Sequence, residues 1–348
     1  MDRARQAERE YLCVDGFIRD AVGARALASA LELGVVDLLL EHPSCTVAEL
    51  GARARTDRRA TTLLLGLLRT DGVIESAGDG FRLTHEFRAA LRFRDLLEAK
   101  IDFAAAVAPD FLDLFTVLLT DPAAFFGRAR LFELFSYDRC FDPTPENVSH
   151  TARWMRFTTA LTRYESAACI AGHDFSRYRR MLDVGGNSGE FALRVCRAHA
   201  GLRATVFDLP VVCDIGERHL RNEPEAGRID FARAGRAGGS MPCGADLVTF
   251  KSMLHDWPDD RMEDFLARAH EALAPGGTLL IFERGLVEAG ERQVPFAMIP
   301  LLLFFRSYRS PHDYREPLAR AGFVDIESST IELDMPFMLV TARRRPSQ

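Results

Sequence analysis

The sequence lacks the signatures of a disulfide-stapled, metal-binding or membrane-spanning chain. Its seven cysteines, at 13, 45, 140, 169, 196, 213 and 243, are irregularly spaced, odd in number and without a CxxC pair. Neither a disulfide framework nor a zinc site is indicated, no metal is expected, and the thiols fit a reducing cytosol. No apolar stretch approaches the ~20 residues needed to cross a bilayer. The longest, VPFAMIPLLLFF from Val294 to Phe305, contains a proline and reads as a buried helix or pocket wall. The opening MDRARQAEREYLC has no apolar run of signal-peptide length, so a cytoplasmic location is expected. Neither charge sign is in large excess: 44 Lys and Arg stand against 50 Asp and Glu, with a pI near 5.9. That balance argues against nucleic acid and membrane surfaces, and leaves small molecules as the expected partners.

What is present is a chain of 348 residues, 47% hydrophobic, long enough to bury a large core in more than one domain. Three regions are expected: 1–100, 101–170 and 171–348. In the first, TVAEL carries a capping box from Thr46 to Glu49, a second helix begins after Asp57 and ends near Asp71-Gly72, and VIESAGDGFRLT reads as a hairpin. Helix, helix, hairpin is a winged-helix outline. Arg53, Arg55, Arg58 and Arg59 would lie near the second helix, but the acids Glu32, Asp37, Glu41, Glu49 and Asp71 share the domain, so the arginines read as a solvated face. The second region has long helical patterns rich in Phe and Leu, as expected of a linker that also lines a substrate pocket.

From Tyr178 the pattern alternates. RMLDV, RATVFDLP, ADLVTFKSML and GGTLLIFERG read as strands separated by helices, which predicts a doubly wound α/β domain with a mostly parallel sheet. GFVDIESSTI and FMLVTAR follow as an antiparallel hairpin at the sheet edge. In such a sheet, ligands sit beyond the carboxyl ends of the strands where strand order reverses, and LDVGGNSG lies there. Its glycines miss the GxGxxG spacing, and Asp183 would be poorly placed beside a pyrophosphate. It suits a cation. Asp208, 25 residues on, ends the next strand, where a carboxylate accepts ribose hydroxyls. A nucleoside bearing positive charge describes S-adenosylmethionine.

LDVGGNSG, FDLP, GAD, FKSMLHDWPDD and LAPGGTLLIFE resemble, in order and spacing, the caffeate-type small-molecule O-methyltransferases, including bacterial members that decorate natural products. The resemblance covers nearly the whole chain. It implies a Rossmann-like class I methyltransferase domain, an N-terminal winged-helix-like dimerisation domain, a homodimer, and an aromatic small-molecule acceptor. It further implies that Ser166, Asp183, Gly185, Gly189, Asp208, Leu209, Lys251 and Ser252 contact S-adenosylmethionine. His255 is implied as general base and Glu283 as an acid that positions it. Phe157, Leu161, Trp257, Met298 and Phe305 are candidates for the acceptor pocket.

Two departures stand out. In the loop where relatives carry an adenine-binding acid, this chain has Gly235-Arg236, leaving adenine to backbone groups or Phe231. Where relatives carry a second acid beside the histidine, FRSYRS places Tyr308, which can bond the substrate or His255 or simply pack. The second departure keeps C-methylation of a phenolic ring or aromatic amino acid open beside O-methylation. A ligand-sensing winged-helix transcription factor is the rival from another class.

Overall fold

The computed structural model describes residues 8–236, 240–286, 294–304 and 306–346. The chain divides into two compact units, Arg9–Leu131 with Arg292–Leu302, and Phe132–Glu291 with Leu303–Gln348 and Met1–Glu8.

In the first unit the winged-helix outline forms as its local chemistry directs. Thr46 and Glu49 cap the helix Val47–Ala54 reciprocally, and Asp57 accepts from the N–H groups of Arg59 and Ala60 to start Arg58–Thr70. Strands β1 (Ile74–Ala77) and β2 (Gly80–Leu83) pair antiparallel, and Cys45 adds a third segment by exchanging both backbone hydrogen bonds with Phe81. The helix Arg94–Thr120 packs on Ala21–Glu32. The run His85–Thr120 is apolar and long enough to cross a membrane by length and composition. Counting uninterrupted apolar residues misses it, because charges break the run. Two of those charges are satisfied within the unit: Lys100 pairs with Asp15 at 2.5 Å, and the Asp110 carboxylate accepts from the backbone of Arg130 and Leu131.

The expected middle region, 101–170, is divided between the units. Its first long helix packs on the N-terminal helices, whereas Pro145–Gly172 packs on Glu190–Ala198 and Pro210–Leu220 of the second unit. The oily segment that includes Met298 also counts with the first unit, with Ala297, Met298 and Leu301 buried.

The second unit carries seven strands: β3 (Arg180–Val184), β4 (Arg203–Asp208), β5 (Ile229–Arg233), β6 (Ala245–Lys251), β7 (Leu273–Arg284), β8 (Phe323–Glu332) and β9 (Pro336–Arg344). Their order is β5-β4-β3-β6-β7-β9-β8, parallel through β7, with β9 and β8 antiparallel at the edge. Strands covered on both faces read as apolar runs, and β3, β6 and β7 bury Met181, Leu182, Val184, Leu247, Val248, Phe250 and Leu279–Phe282. Asp183, Thr249 and Glu283 are buried polar exceptions within these strands. Each must find partners or a ligand. Chain order reverses at β3, so the crevice for a ligand opens where β3 and β6 end.

Packing behind that crevice is tight. A Cβ built on Gly216 would come within 2.5 Å of the Phe231 ring, which also lies 3.0 Å from a Cβ built on Gly189. Overpacking of this kind costs about 1–3 kcal/mol, more than the helix-propensity gain of Gly→Ala. Gly216→Ala is therefore expected to lower the thermal midpoint. A wild-type melting curve would show that the Phe231 contact can relax.

Candidate active site

The turn after β3 departs from ordinary backbone at three points: Gly185, Asn187 and Gly189 have φ of 66°, 57° and 75°. It is stapled to β4 by Gly185 N–H donating to the Phe207 carbonyl at 2.8 Å and Asn187 N–H donating to Asp208 Oδ2 at 2.8 Å. Asp208 Oδ1 accepts from Leu209 N–H at 2.7 Å. A Cβ on Gly185 would strike Met253 Cγ at 2.4 Å, and one on Gly186 would strike Asp183 Oδ2 at 2.5 Å. Only glycine leaves this floor open.

Asp183 is fully buried; its Oδ1 accepts from Thr249 Oγ1 at 2.7 Å and its Oδ2 has no partner. Burial, reinforced by the Asp208 charge, pushes its pKa up to about 7, and burial pushes Asp208 up to about 6. Ser252, at φ 50°, follows β6 with a buried, unpartnered Oγ. An orphaned carboxylate oxygen and an orphaned hydroxyl beside a glycine floor fit a ligand carrying a cation and polar edges.

Other candidate residues have partners within the protein. Ser166 Oγ donates to the Thr162 carbonyl at 2.5 Å. Lys251 Nζ is engaged inside the protein, on Thr162 Oγ1 at 3.0 Å and on Glu165. Glu165 also holds Arg284, which lies 3.7 Å from Asp334. Although burial opposes it, the Arg284 and Lys251 charges hold the Glu165 pKa down at about 2. Phe231 is packed against Gly189 and Gly216, and Arg236 pairs with Asp142 at 2.7 Å over the Phe141 ring.

His255 sits in a short turn, Leu254–Asp256, just past β6. Glu283 Oε1 accepts from the N–H groups of Met253 and Leu254 at 2.8 and 2.5 Å, and Arg309 donates to the carbonyls of Leu254 and Trp257 at 3.0 and 2.7 Å. The turn is thus clamped from two directions. Glu283 Oε2 accepts from Tyr314 Oη at 3.0 Å and lies 3.7 Å from His255 Nδ1, which makes no hydrogen bond at that separation. On the other side of the ring, Asp256 Oδ1 lies 3.4 Å from Nε2 while its Oδ2 accepts from Tyr137 Oη at 2.6 Å. Burial pulls the imidazole pKa down, but the Asp256 and Glu283 carboxylates outweigh it and the net shift is upward. Burial alone would raise Glu283; His255 and the two backbone donors hold it below the usual range.

Tyr308, expected in place of a second acid, is buried with its ring 5.5 Å from the His255 ring and edge-on. The second carboxylate at the imidazole comes from Asp256. Aromatic rings surround this group: Trp257 stacks on Tyr137 at 5.9 Å, and Phe304 lies 6.1 Å from His255. Phe157 and Leu161 are buried on the helix Pro145–Gly172. Met298 belongs to the other unit, and Phe305 lies outside the described residues. Asp256 was visible in LHDWPDD, next to the histidine. Tyr137, Arg309 and Tyr314 carried no local signal, because they reach the turn from 119, 55 and 31 residues away from their partners.

Residues 121–324 match the model of the O-methyltransferase domain. The chain belongs to that family. It is an S-adenosylmethionine-dependent methyltransferase of this class, and S-adenosylmethionine is its cofactor. The match is to the family at large rather than to a caffeate-type branch. The chain is 38% identical over 125 residues to the 3-hydroxy-5-methyl-1-naphthoate 3-O-methyltransferase of Streptomyces sahachiroi, covering 36% of this chain and about a third (35%) of that protein's length. It is 28% identical over 324 residues to the mitomycin biosynthesis 6-O-methyltransferase of Streptomyces lavendulae, covering 92% and 90% of the two chains. Among solved structures it is similar to the mitomycin 7-O-methyltransferase MmcR, with TM-score 0.73, 26% identity and coverage of 92% and 94%.

A cation docked on Asp183 favours the ionised carboxylate, so binding should release protons wherever that group is protonated in the free protein. Affinity for S-adenosylhomocysteine is expected to rise with pH through about 6 to 7, where Asp208 and Asp183 titrate, and then level off. Titration calorimetry in buffers of different ionisation enthalpy reads the released protons, and a pH-independent affinity would contradict this.

Proposed function

We propose that the protein transfers the methyl group of S-adenosylmethionine to a hydroxyl of an aromatic small molecule in bacterial secondary metabolism, with His255 as general base. The observation that carries this reading is the buried imidazole flanked by Glu283 and Asp256, set at the end of β6 beside the β3 glycine floor. S-adenosylmethionine, when bound, supplies an electrophilic methyl group on a positively charged sulfur. Asp183, Gly185 and Gly189 would hold its amino-acid end, and Asp208 with Leu209 its ribose. Ser166 and Ser252 would add polar contacts, and Lys251 would support the site through Glu165. His255 would take the proton from the acceptor hydroxyl, leaving its oxygen able to accept the methyl group that the cofactor would supply. A phenol near pKa ~10 needs this help at neutral pH, and a positioned base is worth roughly 10² to 10⁴ in rate. Glu283 then stabilises the imidazolium. Trp257, Phe157 and Leu161 are proposed to contact the acceptor, and Tyr308 to brace the imidazole.

C-methylation was open because a second acid was missing from the aligned sequence. Asp256 gives the imidazole a second carboxylate, which supports transfer to oxygen. The winged-helix unit is read as a dimerisation element of a cytoplasmic homodimer, and family membership speaks against the transcription-factor rival.

His255→Ala should lower kcat by at least about 10² while leaving S-adenosylhomocysteine affinity intact; Asp208→Ala should do the reverse. An alanine variant at 255 with near wild-type turnover would remove the histidine from the mechanism. Because the neutral imidazole is the base and its pKa is raised, kcat/KM should climb with pH through a midpoint above the ordinary 6.5 of histidine. Asp256→Asn removes a charge that raises that pKa, so the midpoint should move to lower pH. An unchanged or higher midpoint in the pH–rate profile would contradict the assignment.

A further inference from the structure

The aromatic residues around His255 form a closed circuit of contacts. Trp154 meets Phe135 at 5.9 Å, Phe135 meets Phe304 at 6.0 Å, and Phe304 meets His255 at 6.1 Å. In the other direction Trp154 meets Tyr137 at 6.3 Å, and Tyr137 returns to the histidine through Asp256. Trp154 also packs in a cluster with Leu209, the residue after Asp208. It therefore stands opposite the base in the circuit, and adjoins the expected cofactor end as well.

Trp154 is 6% exposed, and its Nε1 has no hydrogen-bond partner. An indole N–H is donor only, and buried ones ordinarily find an acceptor. Tyr137, the other polar ring that touches Trp154, already donates to Asp256. The neighbouring Phe135 and Phe304 side chains carry no oxygen or nitrogen acceptor. An oxygen brought by a ligand would supply the missing partner. Asp256 and Glu283 lie on the same circuit or against it, so a carboxylate on that ligand would meet like charge and would be desolvated beside a single neutral donor. A neutral carbonyl avoids both costs.

We propose that Trp154 Nε1–H recognises a neutral carbonyl oxygen on the acceptor, on the side remote from the hydroxyl that is methylated. The acceptor class is thus an aromatic hydroxyl compound that also carries a ketone, quinone or amide carbonyl. This rests on the reading of the site as one that methylates an aromatic hydroxyl.

The chain has two tryptophans, Trp154 and Trp257, so protein labelled with ¹⁵N-tryptophan gives two indole resonances, and Trp154→Phe assigns them. With S-adenosylhomocysteine bound, 6-acetyl-2-naphthol should shift the Trp154 resonance downfield, and 6-ethyl-2-naphthol, which lacks the carbonyl, should not. In turnover with S-adenosylmethionine, Trp154→Phe should raise KM roughly five- to tenfold for the acetyl compound alone, with kcat little changed. Methylation of both naphthols with an unmoved Trp154 resonance, or an equal KM change for both, overturns the inference and leaves the methyl-transfer reading standing. If neither naphthol moves either indole, the inference also falls, while the methyl-transfer reading is judged separately by product formation from simple phenols.

Discussion

Glu283 is the interaction on which the site depends. A carboxylate with no exposure is costly to bury unless every lone pair is used, and here two backbone N–H groups, a tyrosine hydroxyl and an imidazole face it. One side chain thereby shapes the turn that carries His255 and supplies the charge opposite its ring. Because its two oxygens do different things, the geometry of the imidazole and its electrostatics are not separable.

The next residue along β7 repeats the device on the other face. Successive side chains of a strand point to opposite sides, so Glu283 turns toward Tyr314 while Arg284 turns toward Glu165 on the helix Pro145–Gly172. Glu165 in turn holds Lys251 at the end of β6. The strand ends are thus locked from both faces. Breaking a buried ionic set by removing one member leaves an uncompensated charge, which makes such a network better at enforcing one arrangement than at adding stability. Lys251 and Lys100 are the only two lysines in the sequence, and the side chain of each is held against a carboxylate with little exposure.

The opposite logic governs the glycine floor. Asp183 and Asp208 are raised toward neutrality by burial, and Asp183 keeps an oxygen without a partner. Burial makes both carboxylates harder to ionise than an ordinary aspartate, and a cation beside Asp183 would offset that cost. The floor stores an unmet electrostatic demand, whereas the histidine turn is fully braced in advance. The glycine floor and the histidine turn are thus two differently prepared walls.

Much of this was legible in the chain. The helix starts at Thr46 and Asp57, the strand–helix alternation, the edge hairpin, and the placement of Asp183, Asp208 and His255 at strand ends follow from rules acting over a few residues: caps, periodicity, and glycine at positive φ. Tertiary structure decided the rest. Tyr137 on Asp256, Tyr314 on Glu283, Arg309 on the turn carbonyls and Lys251 on Glu165 join residues separated by 31 to 119 positions. No local pattern specifies such partners. The assignment of Arg292–Leu302 to the first unit is likewise set by which surfaces bury one another. Sequence determined the chemistry available at the sheet edge; folding decided which groups are matched and which, like Asp183 Oδ2 and Trp154 Nε1, are buried without a partner, because desolvation acts on the packed assembly and not on the chain.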